Sequence, residues 1–405
     1  MYYKPSDDSI LLLNSSLKIL KDLNRKNLNI LEVGVGSGFV ISNIAKKYPK
    51  NYFYGTDINK YALEKTKEEF KKVNKNNKNV NSQKIKITLK NCNLIGFRKK
   101  FDIIIFNPPY LPLEDNETLE DLDLESKALY GGKKGNEITI EFLNKLERYL
   151  NIDGIALIIL STLSKPEEVF SYLKNNLYNY EILGKKKLAF EELLVVKINK
   201  NNLRKKLEKL KVKDIFYYTK GKHSVIYKGR YKNKEVIIKK GLREYITKEF
   251  YFLKKLEENK FKNSPKIYYF EEEFIIIEFI KGETIENFLL NCKNKKEVID
   301  VLNKILEITY KLDKLNINKF ELNHPYKHII IKFNNKNKKI KFIDFERSIF
   351  SENPKNTRQF LQYIISKKIL NILNELNITI SKKKVLKIGK ELKNKKFKVK
   401  IEQLI

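Results

Sequence analysis

Asn107-Pro108-Pro109-Tyr110 follows the apolar run FDIIIF and brings together a side-chain amide, two consecutive prolines and a phenol. A planar amide or exocyclic amine is a poor nucleophile because its nitrogen lone pair is delocalised. Acceptors placed on its N–H groups would free that lone pair, and the Asn107 side-chain carbonyl and the Pro108 main-chain carbonyl are two such acceptors. Tyr110 could lie flat against the planar group and orient it. Standing alone, the tetrapeptide is equally a rigid loop leaving a strand.

Upstream, ILEVGVGSGFVISNIA from Ile30 reads as a strand, a glycine-bearing turn and a helix. Gly34, Gly36 and Gly38 let the backbone approach a ligand and helix N–H groups point at it. A pyrophosphate loop would satisfy the same glycines, but Glu32 ahead of them would repel phosphate and pair with an ammonium group. Asp57, in FYGTDI about 20 residues on, stands where a carboxylate accepts both ribose hydroxyls. A turn or helix cap before NKYALEKT is its alternative role.

These residues need a scaffold. Over the first 200 residues, apolar runs (LNILEVGV, NYFYGTDI, IKITLKN, FDIIIFN, GIALIILS, ELLVVKI) alternate with amphipathic stretches such as ALEKTKEEFKKV. That alternation predicts an α/β Rossmann-like domain, a mostly parallel sheet with helices on both faces. NKNNKNVNS from Asn74 reads as a loop, and residues 201–213 as a charged linker or a short helix, with the boundary near Asn201. Beyond it, three antiparallel strands with turns at Lys220-Gly221 and Lys232-Asn233 precede the helical ITKEFYFLKKLEENK. From Thr284 the pattern is mostly helical, broken by HIIIKF and KIKFIDF around the turn NNKNKK. Residues 214–405 are thus expected to form an α+β domain, with a small lobe to about 280 and a helical lobe after it.

Composition sets the bounds. A chain of 405 residues predicts two or three domains, and 42% apolar with 33% charged residues suits folded ones. No run of about 18 apolar residues exists and MYYKPSDDS is no secretion signal, so a soluble cytoplasmic protein without membrane association is expected. Cys92 and Cys292 lie too far apart in sequence for a paired metal-ligand motif. Of the net charge of +34, residues 1–200 carry 33 basic against 25 acidic residues, and 201–405 carry 50 against 24. RNA or the ribosome could be drawn to the second half. The same lysines, with abundant Asn, Ile, Tyr and Phe and no Trp, are also what an A/T-rich coding sequence produces. The tail SKKKVLKIGKELKNKKFKVK reads as a helix on RNA or as a solvated helical face.

GVGSG, Asp57 and NPPY in this order resemble the class I S-adenosylmethionine-dependent amino-methyltransferases over nearly all of residues 1–200. YYKPSDDSILLL from Tyr2 and ALYGGKKGNEITIEFL from Ala128 resemble the HemK-related glutamine N5-methyltransferases, in their archaeal and eukaryotic release-factor branch. The resemblance implies S-adenosylmethionine as cofactor and the Gly-Gly-Gln loop of the class I peptide-release factor as substrate. It also implies a small zinc-binding activator subunit as partner. It puts Glu32, Gly34 and Gly36, with Gly38 in the same loop, on the methionine part of the cofactor, and Asp57 on the ribose. Asn93, where the family usually has Asp, falls at the adenine. Asn107 and Pro108 would hold the substrate amide under Tyr110, while Pro5, Ser6 and Asp7 would cap the pocket, a first-turn helix cap from Ser6 being an equally good local explanation. An RNA or DNA base amino-methyltransferase remains the alternative, since the NPPY chemistry is shared.

In the second half, KGKHSVIYKGRY followed by VIIK resembles the glycine-rich loop and lysine strand of protein kinases. That resemblance implies Lys239 on ATP phosphates, Glu249 as its helix partner, and Glu278 to Ile280 beside the adenine. FIDFE puts Asp344 at the magnesium aspartate, with Glu346 in place of the usual Gly. Matching HIII to the usual Asn-Ile-Leu puts His328 at the second magnesium ligand and Asn323 at the catalytic aspartate, leaving no proton acceptor unless Glu321 moves in. LDKLNINKFELNHPYKHIII, IDFERS and KNTRQF resemble a group of archaeal serine/threonine kinase sequences of the Rio and Bud32 type, over residues 214 to about 370. A non-catalytic docking module for the ribosome or release factor is the competing reading.

Overall fold

The computed structural model describes residues 5–76, 84–114, 118–334, 337–393 and 396–405. It divides into two compact units, Met1–Asp214 and Ile215–Ile405.

The first unit is built on a seven-stranded sheet. Its strands are β1 (Asn29–Val33), β2 (Tyr52–Asp57), β3 (Ile87–Asn91), β4 (Phe101–Phe106), β5 (Leu150–Ser161), β6 (Tyr178–Lys187) and β7 (Glu192–Lys200), in the order β3-β2-β1-β4-β5-β7-β6. Pairing is parallel from β3 through β5, and antiparallel at β5/β7 and β7/β6. The reversal follows from the link between β6 and β7, which is short enough for a hairpin, whereas the parallel strands need helical crossovers. Those crossovers and the chain ends supply α1 (Asp7–Leu23), α2 (Phe39–Lys47), α3 (Lys60–Asn76), α4 (Glu137–Tyr149), α5 (Pro166–Asn175) and α6 (Asn202–Lys209).

Residues alternate faces along a strand, so β4 sends Ile104 and Phe106 into one core with α4 and α5, and Ile103 and Ile105 into another with α1 and α2. Covering both faces explains why the central strands are apolar without interruption.

Residues 201–213 do not behave as a charged linker. The Asn201 side chain caps α6 by accepting the Arg204 N–H at 2.9 Å. Arg204, only 2% exposed, reaches Glu147 at 2.7 Å and the Asn176 carbonyl at 2.6 Å. Lys200 is fully buried, 2.7 Å from Glu208. Arg204 and Glu208 of the segment are thus paired inside the first unit, which a count of polar letters cannot show. Of the NKNNKNVNS loop, Asn74 to Asn76 instead continue α3, and the Asn74 amide clasps the Ile85 backbone at 2.8 and 2.9 Å. Residues 77–83 lie outside the described residues.

The second unit opens with β8 (Lys213–Lys220), β9 (Ser224–Tyr231) and β10 (Lys234–Gly241), then α7 (Arg243–Glu258), β11 (Ile267–Glu271) and β12 (Phe274–Glu278), in the sheet order β8-β9-β10-β12-β11. Lys232 and Asn233 both have positive φ, 47° and 62°, as a two-residue hairpin turn matching strand twist requires. Helices α8 (Ile285–Asn291), α9 (Lys295–Lys314), α10 (Asn356–Ile364), α11 (Lys367–Glu375) and α12 (Lys382–Glu391) pack with the hairpin β13 (Ile329–Asn334) and β14 (Asn337–Phe342) around one core. Residues 335–336 of the turn expected there lie outside the described residues. In the lysine-rich tail, Val385, Val399 and Ile401 join that core, so one face of the segment is packed. Among the described residues no helix is long and apolar enough to cross a membrane.

Candidate functional site

A cavity of about 680 Å³ opens at the C-terminal ends of β1, β2 and β4, where an open α/β sheet places its ligands. Gly34 and Gly36, with φ of 65° and 51°, carry the chain around it after β1. Gly38 does different work from the role expected of it. At φ 77° it starts α2, its N–H closes a turn on the Val35 carbonyl at 2.7 Å, and a Cβ there would strike Thr66 on α3. It is a packing glycine, not part of the cavity lining.

Glu32 lines the cavity at 4% exposure, and its Oε2 accepts the Ile41 N–H at 3.0 Å. Burial pushes its carboxyl well above the usual range. An ammonium group beside it would restore the charged form. Asp57 stands at the end of β2. It lines the cavity, while its two oxygens accept the N–H groups of Gly36 at 3.0 Å and Asn59 at 2.8 Å, bracing the turns on either side. Burial raises its pKa as well. Asn93 lines the cavity as an exposed residue. A buried carboxylate, bare backbone turns and a second carboxylate at the end of β2 suit a ligand carrying an ammonium group and a ribose, so the residues fit S-adenosylmethionine.

Asn107, Pro108 and Tyr110 also line the cavity. The Asn107 Nδ2 donates to Asp8 Oδ2 at 3.0 Å, whereas its Oδ1 is buried with no hydrogen-bond partner among the described residues. The loop is held from outside by backbone. The N–H groups of Tyr110 and Leu111 both donate to the Leu129 carbonyl, at 3.1 and 2.9 Å. Gly131 and Gly135 lie so close that a Cβ on either would strike the carbonyls of Pro109 and Tyr110 respectively.

None of the expected cap residues Pro5, Ser6 and Asp7 lines the cavity. Asp8 and Ser9 line the cavity, Ser6 Oγ donates to Asp8 at 2.6 Å, and Asp7 points to Lys186 at 2.6 Å. One residue of helix turns a side chain by about 100°. Sequence reasoning missed Asp8 because two adjacent aspartates look alike until the helix phase is known. Tyr2 to Lys4 of that motif lie outside the described residues.

In the second unit Lys239 Nζ sits 2.8 Å from both Glu249 oxygens and 3.2 Å from Asp344 Oδ1. Burial works against charge on Asp344, but Lys239, Lys319 and His328 outweigh it and hold the carboxyl at about 2. His328 Nδ1 stands 3.5 Å from Asp344 Oδ2, and burial, with Lys319, keeps its pKa below the usual value. Asp344 itself has a left-handed backbone, φ 67°. Carboxylate oxygens of Glu249, Asp344 and Glu346 lie within 4.8 Å of one another, which suits a divalent cation. Glu346, 9% exposed, is pushed up to about 7 by burial and by Asp344.

Asn323 is exposed at the end of a short 3₁₀ turn, while Glu321 reaches the cluster through Lys319 Nζ at 3.1 Å. Lys319, fully buried and bonded to the Asp344 carbonyl, carried no sequence signal. Glu278, expected beside an adenine, turns its side chain to Lys341 at 3.3 Å, and Ile280 is buried at 9% exposure.

A family model described as a methyltransferase domain matches residues 24–218. A protein named as an N5-glutamine methyltransferase from Methanocaldococcus jannaschii is 37% identical over 194 residues, 48% of this chain and 89% of its own. The catalytic subunit of an eRF1 methyltransferase from Schizosaccharomyces pombe is 30% identical over 206 residues, 48% of this chain and 88% of its own. A solved complex of the Rio2 kinase with ADP, Mg²⁺ and phosphoaspartate from Chaetomium thermophilum covers 58% of this chain and 77% of its own, at 14% identity and a TM-score of 0.38.

Proposed function

Through its first half the chain belongs to the protein N5-glutamine methyltransferase family, and from that premise we propose that it methylates the side-chain nitrogen of the glutamine in the Gly-Gly-Gln loop of a class I peptide-release factor. The observation that carries this reading is that Asn107, whose Oδ1 is buried with no partner among the described residues, lines a cavity that fits S-adenosylmethionine. The substrate assignment draws on the S. pombe relative, whose name specifies eRF1, and that relative's being a catalytic subunit supports a small activator subunit as partner.

S-adenosylmethionine is the cofactor of this half, and when bound it supplies an electrophilic methyl group on a sulfonium. Glu32, Gly34, Gly36, Asp57 and Asn93 would hold it. Asn107 Oδ1 and the Pro108 carbonyl would accept the two N–H bonds of the substrate amide, turning its nitrogen lone pair into the cavity. Tyr110 would pack over the amide plane. No general base is required before the new bond forms, and alignment in near-attack geometry can supply about 7–11 kcal/mol of the barrier.

For the second half we propose an ATP- and magnesium-binding kinase-like lobe, with Lys239 on the phosphates, Asp344 and Glu346 facing the cation, and Glu321 instead of Asn323 as acceptor for a hydroxyl proton. The Lys239–Glu249–Asp344 cluster supports it. The site of action is cytoplasmic, where translation takes place.

The test is incubation of the full chain with S-adenosylmethionine and the release factor, with and without a candidate activator, followed by mass measurement of the Gly-Gly-Gln peptide. One added methyl is expected, formed much more slowly, though still measurably, in Asn107→Ala. Methylated tRNA or DNA with an unmodified peptide would move the enzyme to nucleic-acid bases. For the second half, calorimetry should show magnesium-dependent ATP binding that Lys239→Met abolishes. ATP bound without any phosphate transfer would make that half a docking module.

A further inference from the structure

Asp8 sits in the first turn of α1, 1% exposed, at the edge of the cavity. Its carboxylate accepts from Asn107 Nδ2 at 3.0 Å, the Tyr110 hydroxyl at 3.5 Å, the Ser6 hydroxyl at 2.6 Å and the Ser9 hydroxyl at 3.1 Å. Every one of these groups is a donor, as a carboxylate demands.

An asparagine amide has two edges, one NH₂ and one carbonyl, of nearly the same shape. Which edge faces a ligand is decided by what the other edge touches. Here the edge against Asp8 must be the NH₂ group, because a carbonyl there would set two acceptors against each other in a buried place. The carbonyl edge is therefore turned away from Asp8; its Oδ1 is buried with no hydrogen-bond partner among the described residues, in a residue that lines the cavity. With serine hydroxyls on its other flank, Asp8 is itself held still.

We propose that Asp8 is a positioning residue that locks the orientation of the Asn107 amide, so that the site offers an acceptor and selects a substrate group that donates an N–H. The inference rests on the reading of the first half as an amide N-methyltransferase and deepens it: selection for a carboxamide over the isosteric carboxylate of glutamate is set one residue behind the residue that touches the substrate. A glutamate side chain would bring an acceptor to an acceptor, and Asn107 could not turn over to receive it while Asp8 holds its NH₂ group.

Asp8→Asn keeps the shape and removes the lock, since an asparagine at position 8 can meet either edge of Asn107. The expected result is a kcat for the release factor lower by about 10- to 100-fold and a raised KM, with the dissociation constant of S-adenosylmethionine within twofold of the parent. In the Asn107→Ala background the same change should cost nothing further, because the residue it positions is gone. A purely structural role would cost as much in either background, and that additivity would overturn the proposal.

A second readout needs no substrate. In the full chain, the Asn107 side-chain N–H resonances, identified by their loss in Asn107→Ala, should exchange slowly with solvent and lose that protection in Asp8→Ala. Unchanged protection would refute the lock even if the enzyme methylates glutamine. Lost protection together with no glutamine methylation by the parent would retain the lock and remove the substrate assignment.

Discussion

Lys239 and Glu249, joined through both carboxylate oxygens at 2.8 Å, are buried on facing elements, one on strand β10 and the other on helix α7. Removing one member leaves the other charge without its partner, and such losses cost about 3–5 kcal/mol. Lys239→Met should therefore lower the denaturation midpoint of the second unit as well as any ATP binding. Lys239→Met with Glu249→Leu should recover much of the stability and none of the binding. Chemical denaturation and calorimetry on the same samples separate the two effects.

Asp57→Ala removes the carboxylate assigned to the ribose and also the acceptor for the Gly36 and Asn59 N–H groups. At about 1.5–3 kcal/mol for a hydrogen bond to a charged group, cofactor affinity should fall by at least 10-fold, and by 100-fold or more if both ribose bonds are lost. Titration calorimetry with S-adenosylmethionine measures it. Unchanged affinity would leave Asp57 as a turn residue only.

Gly135→Ala places a methyl carbon against the Tyr110 carbonyl at a φ of 78°. Backbone strain of this kind costs about 1–3 kcal/mol, and a shifted loop should cost at least as much in activity. We expect a loss of kcat of about 10-fold or greater with the far-ultraviolet circular dichroism intact. Gly389→Ala, where the added carbon meets nothing within 4 Å, is the control and should be silent in activity.

Glu346 has a folded-state pKa of about 7 against 4.5 when unperturbed, raised by burial first and then by Asp344 and Glu249. The folded state thus binds this proton more tightly than the unfolded state does. Stability contributed by the group is complete below pH 4.5, falls as pH rises toward 7, and stays low above it. Glu346→Gln should leave the melting temperature unchanged at pH 5 and raise it at pH 8, measured by scanning calorimetry in EDTA.

What could be read from the chain differs between the two halves. The glycine turn, Asp57 and the Asn107 loop were legible because each combines a local backbone requirement with a functional group at the end of a strand, and strand ends are marked by where apolar runs stop. Asp8, Lys319 and Arg204 were not. Each is a charged residue among charged residues, and each is buried against a partner more than 20 residues away: Asn107, Asp344 and Glu147. No local pattern encodes that. Placing Asn323 at the position of the catalytic aspartate rested on counting back from His328. The turn from Phe320 to Asn323 instead leaves Asn323 exposed and Glu321 beside Lys319.

The left-handed backbone of Asp344 has a consequence for evolution in the laboratory. Glycine adopts that conformation freely and a β-carbon resists it. Relieving the strain could stabilise the second unit, while the same exchange removes the carboxylate that meets Lys239 and His328. A library of variants screened only for resistance to heat would be drawn toward glycine at this position, and one screened for nucleotide turnover away from it. The residue that survives each screen would report, without any assay of a natural substrate, whether the second half of the chain is kept for chemistry or for shape.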